Sequence, residues 1–154
     1  MGRPIAIVGV DKDLLDLIQA MPEWDLVGVF DMHPAADALG APHLGGDDAW
    51  PDVQSQRPDL GIVLSIDPTG LKSKLVAHYG RDRLQTVIAP GTHVARSATL
   101  GAGCIVQRAA HVGPDSVLGV SVKMNVGATI HHDGRIGDCV TLAPGCRILG
   151  NVTL

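Results

Sequence analysis

Ile88-Ala-Pro-Gly-Thr-His-Val94-Ala-Arg-Ser-Ala-Thr-Leu100-Gly-Ala-Gly-Cys-Ile-Val106 carries a large aliphatic residue at every sixth position. Stepping on by six gives Val112, Leu118, Met124, Ile130, Ile136, Leu142, Ile148 and Leu154, so the register runs to the last residue. Four residues after the anchors the side chains are compact, as at Thr92, Ala98, Cys104, Ala110, Ser116 and Ala128. Glycine recurs directly after the anchor, at Gly101, Gly113, Gly119 and Gly137. Such a repeat is the signature of a parallel β-helix. Three six-residue steps close one triangular coil; the aliphatic fills the interior and the small residue lies where the chain turns a corner. An antiparallel meander would instead alternate with period two and vary its turn spacing.

Outward from that stretch, the composition divides the chain. All four aromatics (Trp24, Phe30, Trp50, Tyr79) precede it, so the repeat must build its core from aliphatic and small side chains. The expected units are residues 1–86, an α/β domain, and residues 87–154, an all-β helix. A net charge of −4 offers no clustered cations and argues against nucleic acid as partner. No apolar run reaches the ~18 residues of a membrane span and no signal peptide precedes the first strand, so a cytoplasmic protein without membrane insertion is expected. Cys104, Cys139 and Cys146 are odd in number and lack close metal-ligand spacing, which fits reduced thiols that pack.

In the front half, Ile5 to Val10 reads as a buried strand, and Leu14, Leu15, Leu17, Ile18 and Met21 give a helical apolar face. Strands are expected again over Leu26–Asp31, Asp59–Ile66 and Leu84–Ile88, with helices across Asp48–Gln56 and Pro68–Tyr79. Alternating strands and helices with short links imply a small parallel sheet, Rossmann-like in form. Its ligand site would lie at the carboxyl ends of the strands: Gly9 to Asp13, Asp31, and Ser65 to Asp67. Gly9, Asp31 and Ser65 are the candidate substrate contacts. Asp31 lies at a suitable spacing beyond Gly9 to reach a ribose or base. Asp11 and Asp13, by contrast, are carboxylates where a phosphate would want bare N–H groups.

The most specific segment of the repeat is Asn125-Val-Gly-Ala-Thr-Ile-His-His-Asp-Gly-Arg-Ile-Gly-Asp-Cys-Val-Thr-Leu-Ala-Pro-Gly145. With the unit before it, this segment resembles the hexapeptide-repeat sugar acyltransferases, which include sialic-acid O-acetyltransferases and the N-acetyltransferases of UDP-linked bacillosamine-type amino sugars. The resemblance implies a left-handed β-helix, assembly as a homotrimer with active sites between subunits, and acetyl-CoA as co-substrate without a metal. By position it makes His132 the catalytic base, Asp133 the acid beside it and Asn125 an acceptor-sugar contact. His131 becomes a surface residue or sugar contact, and Thr141 and Gly150 fall on the acetyl-CoA side. The chemistry is coherent, because acyl transfer from a thioester needs a base working near neutrality, as imidazole does. The expected activity is acetyl transfer to an amino sugar, nucleotide-linked, with the acceptor and the choice of N or O left open.

The resemblance is incomplete. The family's Gly-Ala-Ser-Gly-His-Gly loop is here Gly9-Val-Asp-Lys-Asp-Leu14, and Thr141 stands where many members carry a histidine. The chain also stops at Leu154 on a repeat anchor without a polar cap, which suggests a truncated or degenerate short form. Two other readings follow. One is a non-catalytic trimeric scaffold or sugar-nucleotide-binding module of the same fold. The other is a γ-type carbonic anhydrase, for which His93 and His111 stack one coil apart but the next coil offers Thr129.

Overall fold

The computed structural model describes residues 2–33 and 40–154. In the front half, β1 (Arg3–Val8), β2 (Trp24–Phe30), β3 (His43–Gly45) and β4 (Gly61–Leu64) form one parallel sheet in the order β3-β2-β1-β4. Alternation along β1 sends its side chains to opposite faces. Ile5 and Ile7 pack with Leu14, Leu15 and Ile18 of α1 (Lys12–Gln19). Ala6 and Val8 pack with Phe30, with Trp50 of α2 (Trp50–Gln56), and with Leu75 and Tyr79 of α3 (Thr69–Tyr79). Helices therefore cover both faces of the sheet. α1 starts where it does because Asp11 adopts an extended backbone and accepts the Leu14 N–H at 3.1 Å.

One strand was not anticipated, and one expected strand needs correction. β3 is a three-residue edge strand with no alternating pattern, and nothing in the sequence marks it. The strand expected over Leu84–Ile88 does not form as one element. Leu84 makes a single parallel bridge to Ile62 of the first sheet, whereas β5 (Val87–Ile88) already pairs with the repeat.

From β5 on, two-residue strands recur every six residues: β6 (His93–Val94), β7 (Thr99–Leu100), β8 (Ile105–Val106), β9 (His111–Val112), β10 (Val117–Leu118), β11 (Lys123–Met124), β12 (Thr129–Ile130), β13 (Arg135–Ile136), β14 (Thr141–Leu142) and β15 (Arg147–Ile148). They stack into three parallel sheets, β13-β10-β7, β14-β11-β8-β5 and β15-β12-β9-β6. Partners such as Lys123 and Thr141 lie 18 residues apart, one coil of a parallel β-helix. The interior anchors Val106, Val112, Met124 and Ile130 are fully buried, as are Cys104 and Ala128 at the compact positions.

The corner geometry resolves two jobs for small residues. Positive φ falls three residues after the anchor and is taken by Asp115, Asp133 and Asn151, and also by Ala109, Ser121 and Cys139. The glycines directly after the anchors serve a different purpose, which is close stacking of coils. A Cβ on Gly113 would lie 2.7 Å from the backbone of His131.

The two halves share their cores. Val87, Ala89 and Ile105 join the α1 cluster, and Leu84 and Val120 join the α3 cluster. Val120 is only 4% exposed. It packs against the N-terminal unit and is not a free surface for subunit contact. Val126, at 42%, does face solvent.

Candidate active site

His132 and Asp133 follow β12 at a corner of the helix. The backbone there is fixed from both neighbouring coils: Asp133 N–H donates to Pro114 O at 2.9 Å, and His132 O accepts from Asn151 N–H at 3.1 Å. Asp133 takes a left-handed conformation (φ 59°), and its Oδ2 lies 2.8 Å from His132 Nδ1. The imidazole lies over Gly150, where a Cβ would come within 2.6 Å of Cε1 and Nε2. A bare glycine is thus what lets the ring lie flat on the next coil. Both side chains remain about half exposed, at 58% and 47%. With Nδ1 held by a carboxylate, Nε2 is the ring nitrogen left to exchange a proton, the arrangement of a base whose tautomer is set by its neighbour.

The other residues singled out from the repeat divide. His131 is exposed, but its backbone is tied at both ends, N–H to Ile148 O and O from the Ser116 hydroxyl. Asn125 spends its Nδ2 donor on Leu142 O at 2.9 Å, leaving Oδ1 for another partner. Asn125 and His132 flank β12 and so occupy successive corners of one coil; a single chain does not bring them together. Thr141 lies on a different sheet from β12. Its hydroxyl accepts from Lys72 Nζ at 2.7 Å and donates to Asp67 O at 3.3 Å, toward the N-terminal unit and away from His132.

A cavity opens at the carboxyl ends of the first sheet. It has a volume of about 310 Å³ and is lined by Gly9, Phe30, Asp31, Asp47, Ile66 and Leu71 among others. Gly9 (φ 85°) lets the chain turn out of β1 beneath Ile66, whose Cδ1 a Cβ would strike. The Asp31 carboxylate accepts backbone N–H groups from Val10 at 3.2 Å and His33 at 2.9 Å, which pins the rim. Asp47 is held by the Tyr79 hydroxyl at 2.7 Å, over a cluster in which Phe30, Trp50 and Tyr79 pack at ring separations of 5.2–5.9 Å. Ser65 turns inward, 8% exposed, and donates to Asp11 Oδ2 at 2.7 Å.

Sequence reasoning missed the polar junction between the two units. Lys123 of β11 is 5% exposed, with Nζ 2.9 Å from Asp11 Oδ2 and 3.2 Å from Asp67 Oδ1. Burial pushes the Asp11 carboxyl up, but the Ser65 hydroxyl, Lys123 and the Leu14 N–H outweigh it and hold the group below the usual range. Lys72 of α3 is fully buried, and desolvation brings its ammonium down to about 8. The only signal for either residue is a lysine inside an apolar pattern, at Val122-Lys123-Met124 and Leu71-Lys72.

His93 and His111 stack with ring centroids 4.7 Å apart. Desolvation, then His93 and His131, lower the His111 pKa. Among the described residues no group of three His, Cys, Asp or Glu side chains converges as metal ligands would. No helix among them is long and apolar enough to cross a membrane.

A parallel β-helix fused to a small parallel sheet is an architecture shared with solved transferases. No family model and no curated protein matches the sequence. GDP-perosamine N-acetyltransferase from Caulobacter crescentus, solved with CoA and GDP-perosamine as a histidine-to-alanine mutant, is 26% identical, covering 97% of this chain and 81% of that one with a TM-score of 0.86. The acetyltransferase domain of PglB from Neisseria gonorrhoeae (22% identity, 99% and 77% covered, TM-score 0.86) shares the fold, as does WeeI from Acinetobacter baumannii (21%, 97% and 74%, TM-score 0.81). In structure, then, the chain is similar to the hexapeptide-repeat sugar acetyltransferases.

Proposed function

We propose that the chain is an acetyl-CoA-dependent N-acetyltransferase of a nucleotide-linked amino sugar, with His132 as general base. The observation that carries this reading is the His132–Asp133 pair, held at 2.8 Å and seated on Gly150. It occurs in a chain that aligns over 97% of its length with an enzyme solved in complex with CoA and GDP-perosamine. That enzyme's complexes include mutants in which one histidine is replaced by alanine or asparagine, as expected where a histidine takes part in turnover.

In the proposed reaction the acceptor amine attacks the thioester carbonyl, and His132 Nε2 takes the proton the nitrogen sheds. The C–S bond breaks as the amide forms, and the imidazolium returns the proton to the departing CoA thiolate. Asp133 stabilises the imidazolium and fixes Nδ1–H. The N-terminal unit, residues 1–86, acts as a Rossmann-like nucleotide-binding domain that receives the nucleotide beside Gly9 and Asp31. Residues 87–154 form the left-handed β-helix. Asn125 and His132 lie at different corners of one chain, so a homotrimer would complete the site by bringing a neighbour's corner alongside. Thr141 acts at the domain junction in this reading, and Gly150 contributes by seating the base.

With saturating acetyl-CoA and a panel of GDP- and UDP-linked amino sugars, His132→Ala should lower kcat by roughly 10²–10⁴-fold with little change in acceptor KM. His131→Ala should cost far less. A larger loss at His131 would move the base by one residue. Nucleotide binding without any turnover would favour the non-catalytic sugar-nucleotide module instead.

A further inference from the structure

The polar junction between the two units is built in a way packing alone does not require. Asp11 follows Gly9 out of β1, and Asp67 follows Ile66 out of β4; Gly9 and Ile66 both line the 310 Å³ cavity. Both carboxylates meet the one ammonium of Lys123, at 2.9 and 3.2 Å. Thr141, the strand partner of Lys123, accepts from Lys72 at 2.7 Å, and Lys72 is flanked on α3 by the cavity residue Leu71. Two adjacent rungs of the β-helix therefore hold the β1 loop, the β4 loop and α3. Two residues beyond Lys123, Asn125 bonds Leu142 O, next to Thr141.

The charges matter as much as the ties. Asp11 is one of the two carboxylates, with Asp13, that made the loop after Gly9 look hostile to a phosphate. Asp11 is buried to 14% side-chain exposure and so is poorly screened. Paired with Lys123 it presents no net repulsion; unpaired, it would leave a negative charge beside the cavity mouth.

We propose that Lys123 is the positioning residue of the nucleotide-sugar pocket: it neutralises the buried Asp11 and, by also holding Asp67, fixes both loops to the β-strand that leads to Asn125. This rests on the reading of the cavity as a nucleotide site. It explains how a loop without the family's later glycines would still accept a pyrophosphate: the lysine cancels the buried Asp11 charge, and the walls are held from below.

The test uses the full chain. GDP and UDP are titrated calorimetrically, and KM is measured separately for the nucleotide sugar and for acetyl-CoA. Lys123→Met should weaken nucleotide binding and raise the nucleotide-sugar KM by about tenfold or more, because it strands the buried carboxylate. The acetyl-CoA KM should stay within about twofold. The double variant Lys123→Met/Asp11→Asn should recover most of the lost nucleotide affinity, a rescue that a purely structural lysine would not give. If the Lys123→Met chain fails to fold, Lys123→Arg carries the test. Its longer, planar head keeps the charge but displaces the loops, so the nucleotide-sugar KM alone should rise by about threefold or more. Equal effects on both substrates, no effect at all, or a double variant no better than the single would overturn the proposal. A wild-type chain that binds neither GDP nor UDP overturns the pocket reading and this proposal together. One that binds a nucleotide but transfers no acetyl group sinks only the transfer reaction, and the nucleotide titrations still decide the role of Lys123.

Discussion

At the residue scale, His132 owes its placement to what Gly150 lacks. The imidazole rests on a backbone where a Cβ would approach within 2.6 Å of Cε1 and Nε2. Because the ring is half exposed at the end of a rotatable side chain, it would swing outward and leave the fold intact. Gly150→Ala should therefore lower kcat by about tenfold or more, since small misplacements of a catalytic group are costly. Its melting temperature should match the wild type within a degree or so, because nothing in the core moves. A melting temperature that falls sharply, or a kcat that does not change, would mean that the seat is not what holds the ring. His132 and Asp133 were legible in the sequence because the repeat fixes every residue's position around the coil. That Gly150 seats His132 was not legible, because the two lie one coil apart and no local pattern records such a contact. Lys123 was invisible for the same reason, with Asp11 and Asp67 more than fifty residues distant.

At the element scale, α3 carries a fully buried lysine whose ammonium donates a hydrogen bond to a neutral threonine hydroxyl. Burial lowers the Lys72 pKa from 10.5 to about 8. Between those values the unfolded chain holds a proton that the folded chain has released. Stability contributed through this group therefore rises with pH across that window, and below it the buried charge is a standing cost. Urea midpoints for wild type and Lys72→Met, measured from pH 7.5 to 10.5, should converge or cross in the wild type's favour as pH rises. Parallel curves would mean that Lys72 is solvated. The helix itself was legible in Pro68–Tyr79, as were β1, β2 and β4, which have continuous apolar runs. β3 was not, because three residues at a sheet edge contain no period to read. The β-helix strands, only two residues each, were legible because the signal is their spacing by six.

At the scale of the whole molecule, the proposed function needs both units: the pocket at the ends of β1, β2 and β4 would hold the nucleotide and the His132 corner would move the proton. The lysine-centred junction fixes the loops of that pocket to the β-helix. In the proposed homotrimer that rigid junction would carry the sugar of one subunit's nucleotide toward a corner of the helix stack. The most direct measurement is mass spectrometry of a GDP- or UDP-linked amino sugar incubated with acetyl-CoA and the chain, with free thiol counted in parallel. The proposed function predicts a nucleotide sugar that gains one acetyl group on its amine, with one CoA thiol released for each. The same incubation with His132→Ala should give neither at comparable times. An unmodified sugar across the panel, or thiol released without acetylated product, would contradict it.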